Sequence, residues 1–286
     1  MQRPRKRFGQ HFLHDPAVID RLVHVIDPRP RDHIVEIGPG RGVLTRRLLA
    51  GPLASLDAIE IDRDLSARLE VELAADRRFA LLQGDALEID LEHLARARGG
   101  PLRLVGNLPY NLSTPLLFHF IAGRAALIDL HVMLQREVVA RIAARPGTGD
   151  YGRLTVMLAP WVSVERLFDV GPGAFQPPPR VWSTVVRLTV LPQPAFAVSG
   201  GFEAVVAAAF SHRRKTLRNA LRGLLTAEDI ESCGLDPGAR PETVAPSLFN
   251  DLGALLARGP VAVTQTQAPR RTMRKASRSG RRTPGP

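Results

Sequence analysis

The fold is decided by the stretch Ile34-Val35-Glu36-Ile37-Gly38-Pro39-Gly40-Arg41-Gly42, in which an apolar run leads directly into three glycines. An amphipathic segment follows at 43–49, so the sequence predicts a strand, a tight turn and a helix. Glycines let the backbone approach a ligand closely at the carboxyl end of a strand, where open α/β sheets bind nucleotides. The stretch has neither the small residue at position 43 that a dinucleotide fingerprint needs nor the Lys-Ser/Thr end of a phosphate loop. The remaining G-x-G-x-G pattern is typical of S-adenosylmethionine sites, with a plain strand-to-helix turn as the alternative.

Short apolar runs and amphipathic segments alternate on both sides of this loop. We expect strands at residues 34–37, 56–61, 79–82, 102–105 and 130–134. We expect helices at residues 43–49, 65–73, 91–97 and 115–121. Because parallel strands covered on both faces form continuous apolar runs, this alternation predicts an α/β fold, a Rossmann-like sheet with helices on both faces. Residues 166–170 and 184–190 are expected to close the sheet as an antiparallel hairpin.

Proline, glycine and charge divide the chain into four segments. We expect a basic N-terminal arm at 1–14, a catalytic domain at 15–195, a small all-helical domain at 200–260 and a basic disordered tail at 261–286. Asp15 is the expected N-cap of a helix over residues 16–26. In the C-terminal domain, the apolar period from Val205 to Leu224 predicts one continuing helical repeat, with Arg214, Arg218 and Arg222 on a second stripe.

The positive charge lies at the two ends of the chain. Lys and Arg number 39 against 28 Asp and Glu, for a net charge of +11. Residues 265–286 hold seven of the basic residues and residues 1–7 hold four, so the rest of the chain is neutral. Cationic arms condense onto polyanions, so nucleic acid is the first partner to consider, with a solubilising tail as the alternative.

Several classes of protein are excluded by composition. No run approaches the roughly 18 apolar residues of a membrane span, and no apolar segment follows the basic N-terminal residues as in a secretory signal. Cys233 is the only cysteine, so neither an internal disulfide nor a cysteine-based zinc site can form. We therefore expect a cytoplasmic protein with no membrane partner and no metal.

Acidic residues lie at the ends of the second and third predicted strands. Glu60 lies 22 residues beyond Gly38, where an acidic side chain accepts the ribose hydroxyls of a bound nucleoside. Asp85 ends the third strand, where an acceptor can take the exocyclic amine of the cofactor's adenine. Each acid alone is better explained as a solvated loop residue or a helix cap. Together, at successive strand ends, they favour a nucleoside site.

The fourth predicted strand ends in Asn107-Leu108-Pro109-Tyr110, the most specific motif in the chain. It resembles the Asn/Asp-X-Pro-Tyr/Phe tetrad of enzymes that methylate exocyclic amines. An adenine N6 amine is a poor nucleophile because its lone pair is delocalised into the ring. Acceptors on Asn107 and Leu108 would bind its two hydrogens and favour the pyramidal amine, and Tyr110 would stack on the base. A turn after a strand is the alternative.

Further motifs along the chain, together with those above, carry a resemblance to a known family. The further motifs are Arg7–Leu13, Ser113-Thr114-Pro115, Gln135–Val138, Tyr151–Leu154, Phe175–Val181 and Phe210–Thr216. Over roughly residues 5–255 the chain resembles the ribosomal RNA adenine N6,N6-dimethyltransferase family of the bacterial small-subunit type. Two departures stand out: His11 occupies a position where asparagine is common, and the tail beyond about residue 260 has no counterpart in the family.

The resemblance implies roles for individual residues. It implies an S-adenosylmethionine site formed by His11, Leu13, Gly38, Glu60, Asp85 and Asn107. Asn107, Leu108 and Tyr110 would hold the target adenine, with Phe175 packed on its other face. For Phe175, which lies in a proline-rich segment, a loop anchor is the alternative. Phosphate contacts to RNA are expected from Arg213, Arg214, Lys215 and Arg218, for which a solvated helical face is the alternative.

The resemblance also implies a reaction and a partner. A monomer would transfer two methyl groups to each of two adjacent adenosines in the 3′-terminal hairpin loop of 16S ribosomal RNA within the 30S subunit, with a role in the biogenesis of that subunit. Three alternatives are open: a large-subunit RNA methyltransferase that confers antibiotic resistance, a ribosome-assembly factor, and a mitochondrial transcription factor. The last is disfavoured because the motifs begin at Arg7 and leave no room for a transit peptide.

Deleting residues 265–286 should weaken RNA binding and reduce its salt dependence, because the segment carries seven cations. If all seven contact phosphates, the slope of log affinity against log salt should fall by about five. Filter binding of full-length and truncated protein across a salt series measures both slopes. An unchanged slope would show that the tail takes no part in RNA binding.

Overall fold

A computed structural model describes residues 11–212 and 214–259 of the chain. The predicted tail at 261–286 and most of the predicted arm at 1–14 lie outside these residues. No helix in the described part of the chain is long and apolar enough to cross a membrane.

The described residues form nine strands. They are β1 (Phe12–Leu13), β2 (His33–Ile37), β3 (Ser55–Glu60), β4 (Phe79–Gln83), β5 (Leu102–Asn107), β6 (Leu127–Gln135), β7 (Val162–Val170), β8 (Phe175–Gln176) and β9 (Ser183–Val190). Seven of them form one sheet in the order β4-β3-β2-β5-β6-β9-β7, and β1 and β8 form a separate antiparallel ribbon. The strands from β4 to β6 in that order are parallel, whereas β9 is antiparallel to both β6 and β7. The predicted sheet and its antiparallel closing pair are thus confirmed.

Eleven α-helices connect and cover these strands in the described part of the chain. They are α1 (Pro16–Ile26), α2 (Val43–Leu49), α3 (Arg63–Leu73), α4 (Leu91–Arg98), α5 (Ser113–Ala122), α6 (Arg136–Ile142), α7 (Arg153–Leu158), α8 (Phe202–Ala209), α9 (Leu217–Ala220), α10 (Ala227–Ser232) and α11 (Pro246–Arg258). α1 has the predicted bounds and the predicted cap, since the Asp15 carboxylate accepts from the N–H groups of Ala17 and Val18 at 2.9 and 3.3 Å.

Apolar side chains cover both faces of the sheet. One cluster contains Leu104 and Leu130 from the strands and Phe120 from α5. The cluster on the other face contains Leu22 and Ile26 from α1, together with side chains of α2. Because both faces are covered, almost every residue of the central strands β2, β3 and β5 is buried, and the apolar residues among them form the runs from which the strands were predicted.

A buried ionic network holds α1 against the sheet. Arg103 on β5 pairs with Asp129 on β6 at 2.9 Å and with Asp32 at 2.7 Å. The same guanidinium donates to the carbonyl oxygen of Ile26 at 2.8 Å, so it also caps the end of the helix. Arg103 lies near the start of β5, so the C-terminal end of α1 lies at the amino edge of the parallel strands. The residues before α1 therefore lie at the carboxyl edge.

The C-terminal helices share a hydrophobic core with part of the predicted domain at 15–195. α8 to α11 bury Phe202 and Phe249 in a cluster that also contains Tyr151 and Val156, from within the predicted 15–195 domain. The Tyr151 hydroxyl donates to the carbonyl oxygen of Val244 at 2.7 Å. The chain after residue 200 is helical as predicted, but the change in secondary structure there does not separate two cores.

The prediction of one helical repeat from Val205 to Leu224 is wrong. α8 ends at Ala209, and α9 does not begin until Leu217. The N–H of Leu217 donates to the carbonyl oxygen of Ala239, and that of Arg218 to Pro237, at 2.9 and 3.0 Å. These tertiary hydrogen bonds replace bonds to the preceding helical turn. Arg214, Arg218 and Arg222 consequently do not form a stripe on one helix.

Replacing Arg103 by alanine should lower the free energy of unfolding by about 3–5 kcal/mol, because two carboxylates would stay buried without their partner. Urea denaturation at neutral pH measures the loss. Arg96→Ala is the matched control, since Arg96 is exposed and lies 3.9 Å from Glu92; its effect should stay under about 0.5 kcal/mol. Equal effects of the two substitutions would contradict a structural role for the network.

Candidate active site

The glycine loop after β2 leaves open space at the carboxyl edge of the sheet. Gly38 and Gly40 have φ values of +64° and +58°, a backbone conformation that L side chains rarely adopt. A Cβ on Gly38 would meet no atom within 4 Å, whereas one on Gly40 would lie 3.0 Å from the Phe12 ring. The loop therefore leaves space for a ligand at Gly38, and the N-terminal segment packs against Gly40 through Phe12.

Glu60, the last residue of β3, connects its strand to this loop. Its carboxylate accepts from the N–H of Gly40 at 3.0 Å and from the N–H of Asp62 at 2.9 Å. The side chain is 4% exposed, and burial raises the pKa of its carboxyl above the ordinary value. Glu60 is thus oriented by two backbone donors at the wall of the cavity described below.

Asn107 is the last residue of β5, and only one of the two polar atoms of its side-chain amide has a hydrogen-bond partner among the described residues. Its Nδ2 donates to the backbone carbonyl oxygen of His11 at 3.0 Å. Its Oδ1 is buried and has no hydrogen-bond partner among the described residues. A buried amide oxygen without a partner costs free energy unless a ligand donates to it. The atom is an acceptor prepared for a donor from outside the chain.

Tyr110 is fixed on both its ring and its hydroxyl. Its ring stacks on that of His11, with centroids 5.7 Å apart, and its hydroxyl forms a 2.7 Å hydrogen bond with the Ser183 hydroxyl. Burial raises the pKa of Tyr110, so the phenol stays protonated at neutral pH. His11 is held in turn, because its Nδ1 donates to the carbonyl oxygen of Pro177 at 2.8 Å. Tyr110 therefore offers an aromatic surface and is unsuited to act as a base.

One cavity unites seven of the residues predicted for cofactor and base. It is lined by His11, Gly38, Glu60, Asp85, Asn107, Leu108 and Tyr110. Asp85 follows β4, and one of its carboxylate oxygens accepts from the Leu87 N–H at 2.9 Å. Leu13 lines an adjoining cavity, which shares His11, Gly38 and Asn107 with the first. The carboxyl ends of four parallel strands thus bring together residues that are distant in sequence.

Phe175 does not line this cavity. It is 1% exposed, pairs with Leu13 across the β1–β8 ribbon and packs against the sheet. The predicted stacking of Phe175 on a target base is not supported, because a ring buried on all sides offers no face. Its aromatic surface instead anchors the ribbon that holds His11 over the cavity.

The predicted RNA contacts lie away from the cavity. Arg214 and Lys215 are exposed between α8 and α9, and Arg218 is exposed on α9. Arg213 lies outside the described residues. None of the three described cations lines the cavity, so any contact they make with RNA is separate from the chemistry.

Two residues of the site were missed by the sequence analysis. Ser183 holds the Tyr110 hydroxyl from 73 residues further along the chain, and no local pattern marks it. Glu36 was visible within the glycine motif but received no role. It is 2% exposed and lines the adjoining cavity, and burial, with a smaller contribution from the charge of Glu60, raises its pKa to about 7.

The residues of the cavity suit S-adenosylmethionine. The space at Gly38 admits a ligand against the backbone, and the carboxylates of Glu60 and Asp85 can accept from hydroxyl and amine groups of a nucleoside. The unpartnered Oδ1 of Asn107 adds a third acceptor. The two carboxylates and the open position at Gly38 suit an adenosine that carries a sulfonium group, and Asn107 Oδ1 borders the same space.

Comparison with known proteins identifies the family. The model of the family described as ribosomal RNA adenine dimethylase matches residues 1–257. The chain belongs to this family. It is therefore an S-adenosylmethionine-dependent methyltransferase, and the predicted family, enzyme class and cofactor are confirmed.

Close relatives of this dimethylase match over nearly their whole length. A ribosomal RNA small subunit methyltransferase A from Nitrosococcus oceani is 52% identical over 246 residues, 85% of this chain and 92% of the relative. Another of that name, from Pseudomonas aeruginosa, is 50% identical over 260 residues, 90% and 96% of the two chains.

Solved structures of two methyltransferases have the same fold. A dimethyladenosine transferase from Plasmodium falciparum superposes with a TM-score of 0.68 at 22% identity, over 85% of this chain and 96% of that one. The 23S rRNA methyltransferase ErmE superposes with a TM-score of 0.64 at 25% identity, over 86% and 99%. The predicted fold class is confirmed by both.

The dimethylase should lose stability relative to its Glu36→Gln variant as the pH rises from 4.5 to 7. The folded protein keeps a proton on Glu36 up to about pH 7, whereas the unfolded chain loses it near 4.5, so ionisation in this window destabilises the fold. The difference between the two proteins should change by roughly 3 kcal/mol across the window. Urea unfolding at successive pH values measures it.

The matched control is Glu92→Gln, because the Glu92 side chain is 55% exposed. Its stability relative to the parent should be nearly independent of pH above 5. If the Glu36→Gln difference is as flat as that of the control, Glu36 is not protonated in the folded protein.

Proposed function

We propose that this enzyme dimethylates N6 of two adjacent adenosines in the 3′-terminal hairpin loop of 16S ribosomal RNA within the 30S subunit. The site observation that carries the proposal is the buried, unpartnered Oδ1 of Asn107 at the end of β5. Relatives that are about half identical over most of both chains are named small subunit methyltransferases, which supports this choice of RNA. The proposal includes a role in small-subunit biogenesis and a monomeric, cytoplasmic enzyme.

The cofactor supplies a methyl group on an electrophilic sulfonium sulfur when bound. Glu60 would accept from its ribose hydroxyls, and Asp85 from its adenine amine, because both carboxylates line the cavity. Gly38 leaves the backbone free of a side chain there. These residues fix the cofactor, and Asn107 borders the same space.

Asn107 and Leu108 would activate the target amine by orientation. Asn107 Oδ1 and the Leu108 carbonyl oxygen accept its two hydrogens, so the lone pair is directed away from them and toward the methyl group. Leu108 is 1% exposed, and its N–H donates to the Met133 carbonyl oxygen at 3.2 Å, which fixes this backbone. Tyr110 then stacks on the base, since it lines the same cavity.

No strong base is required in this mechanism. The bound cofactor would give its methyl group to the target nitrogen as the bond from that carbon to sulfur breaks, and the methylated ammonium would be acidic enough to lose its proton to water. The protonated phenol of Tyr110 and the hydrogen-bonded carboxylate of Glu60 are unsuited to take that proton. The rate therefore depends on position and desolvation.

A large-subunit RNA methyltransferase is the second candidate, because ErmE superposes well on this chain. The likeness to ErmE reaches 25% identity, whereas the small-subunit relatives reach 50–52%. Identity therefore favours the small subunit. An assembly factor that binds immature subunits, with methyl transfer secondary, is compatible with the same surface cations.

Asn107→Ala should reduce methyl transfer at least about 100-fold, because an acceptor that orients the reacting amine is lost. Binding to small subunits should stay within a few fold, since most contacts to RNA are made elsewhere. Transfer of labelled methyl groups and sedimentation with subunits measure the two quantities. Gln193→Ala, a change of an exposed amide far from the cavity, is the control and should alter neither. Equal loss of transfer and binding would remove the assigned role of Asn107.

The choice of RNA is tested with unmethylated small and large subunits in parallel, followed by digestion and mass spectrometry of the nucleosides. Dimethyladenosine from the small subunit alone is the expected result. Product from the large subunit alone would establish the second candidate. Tight binding to small subunits without any transfer would favour the assembly-factor hypothesis.

A further inference from the structure

Trp182 is exposed at the carboxyl edge of the parallel strands, the catalytic edge of the sheet, where the cavity lies. It is 51% exposed, and it is the only aromatic member of the six large apolar side chains that are exposed in the described part of the chain. Tryptophan combines a large apolar ring with a polar N–H, and it is enriched at surfaces that bind partners. No part of the mechanism above uses this residue.

The antiparallel direction of β9 places Trp182 near the reacting base. The first residue of β9, Ser183, pairs with Gln135 at the carboxyl end of β6 and with Val170 at the end of β7. Trp182 immediately precedes it, so the indole lies at the edge where Asn107 and Tyr110 lie. The Ser183 hydroxyl forms the 2.7 Å hydrogen bond with Tyr110. The exposed indole therefore belongs to the residue next to Ser183, which contacts Tyr110, the side chain proposed to stack on the target base.

The indole is held in place on one side. An ideal Cβ on Gly171 would lie 3.5–3.8 Å from three carbon atoms of its six-membered ring, so the ring packs over this glycine. The carbonyl oxygen of Trp182 accepts from the Arg136 N–H at 3.0 Å. A ring that is already fixed loses little conformational entropy when a planar group stacks on its free surface.

The charges around Trp182 favour an anionic partner. Arg180 lies two residues before it and Arg136 is joined to it by the backbone hydrogen bond, and both side chains are exposed. Among the described residues neither guanidinium lies within 4 Å of a carboxylate, although the hydrogen bond from Thr184 and, to a smaller extent, the charge of Arg136 lower the pKa of the Asp169 carboxyl. A flat aromatic surface beside exposed guanidinium groups is an arrangement with which proteins bind single-stranded RNA. A single exposed ring is too small for a stable protein interface, which needs roughly 800 Å² on each partner.

We propose that Trp182 stacks on an unpaired nucleotide adjacent to the target adenosines, while Arg136 and Arg180 contact its phosphates. This proposal rests on the proposed function, because it takes the substrate to be a hairpin loop with unpaired neighbours. Stacking there would hold the loop so that each target base can enter the cavity beside Tyr110. Trp182 is a positioning residue and does not touch the reacting atoms.

Tryptophan fluorescence gives a direct test, because the chain has only two tryptophans. The other, Trp161, precedes β7 at the opposite edge of the sheet, with the Arg124 guanidinium 3.6 Å from its ring centroid. In a Trp161→Phe variant, Trp182 is the sole reporter. Titration with an unmethylated RNA hairpin that carries the small-subunit 3′-terminal loop should quench its emission to saturation. A blunt RNA duplex of equal length should quench it much less, since its bases are paired.

Kinetics on small subunits supply the second readout. Trp182→Ala should raise KM about ten-fold or more, the loss expected for one stacked base, and change kcat less than about two-fold. Trp182→Phe should restore most of the affinity, because it keeps an aromatic face. Val71→Ala is the control: Val71 is 80% exposed on α3, far from the catalytic edge, and its loss should leave KM unchanged. Thermal unfolding of each variant checks that the fold is intact.

The outcomes separate this proposal from the proposed function. If the parent enzyme methylates small subunits and Trp182→Ala leaves KM unchanged, the stacking proposal alone is wrong. The same holds if the hairpin binds the Trp161→Phe variant by filter binding without quenching it. If the parent enzyme transfers no methyl group to small subunits, the proposed function is wrong and the stacking proposal falls with it.

Discussion

The hydrogen bond from Asn107 Nδ2 to the His11 carbonyl oxygen sets the chemistry of the whole site. A carbonyl oxygen can only accept, so the amide must present its nitrogen to His11 and its oxygen to the opposite side. One contact between the N-terminal segment and β5 thereby turns an amide that could face either way into a dedicated acceptor. The Arg103 network supports that contact from the far end of α1, because it fixes the helix that follows His11. The stacking of His11 on Tyr110 then ties the aromatic surface to the same segment.

Much of the fold could be predicted from local patterns. The five parallel strands could be predicted from apolar runs, because parallel strands are buried on both faces. The first helix could be predicted from its apolar periodicity and its N-cap. The cofactor residues could be predicted for a related reason. Glu60, Asp85 and Asn107 each lie at the end of a recognisable strand, and the carboxyl ends of parallel strands meet at one edge of a sheet.

The remaining features depend on contacts between distant segments. The break between α8 and α9 follows from backbone hydrogen bonds to Pro237 and Ala239, which no periodicity within residues 205–224 can reveal. Phe175 was assigned to the base because its motif suggested it, whereas pairing across the β1–β8 ribbon buries it. Ser183 has an ordinary strand-end sequence and acquires its role only when the antiparallel β9 brings it to Tyr110. Burial and long-range pairing decide these cases, and neither is written in local sequence.

The shared core of the C-terminal helices limits how the enzyme can move. Tyr151 and Val156 are buried with Phe202 and Phe249, and a hydrogen bond to Val244 closes the same junction. A hinge between the sheet and these helices would have to expose that cluster to water, which is costly for large apolar side chains. The surface around α9 and the catalytic edge are therefore kept at a constant separation. A substrate that contacts both must match this spacing, so the enzyme can select RNA by its folded shape as well as by its bases.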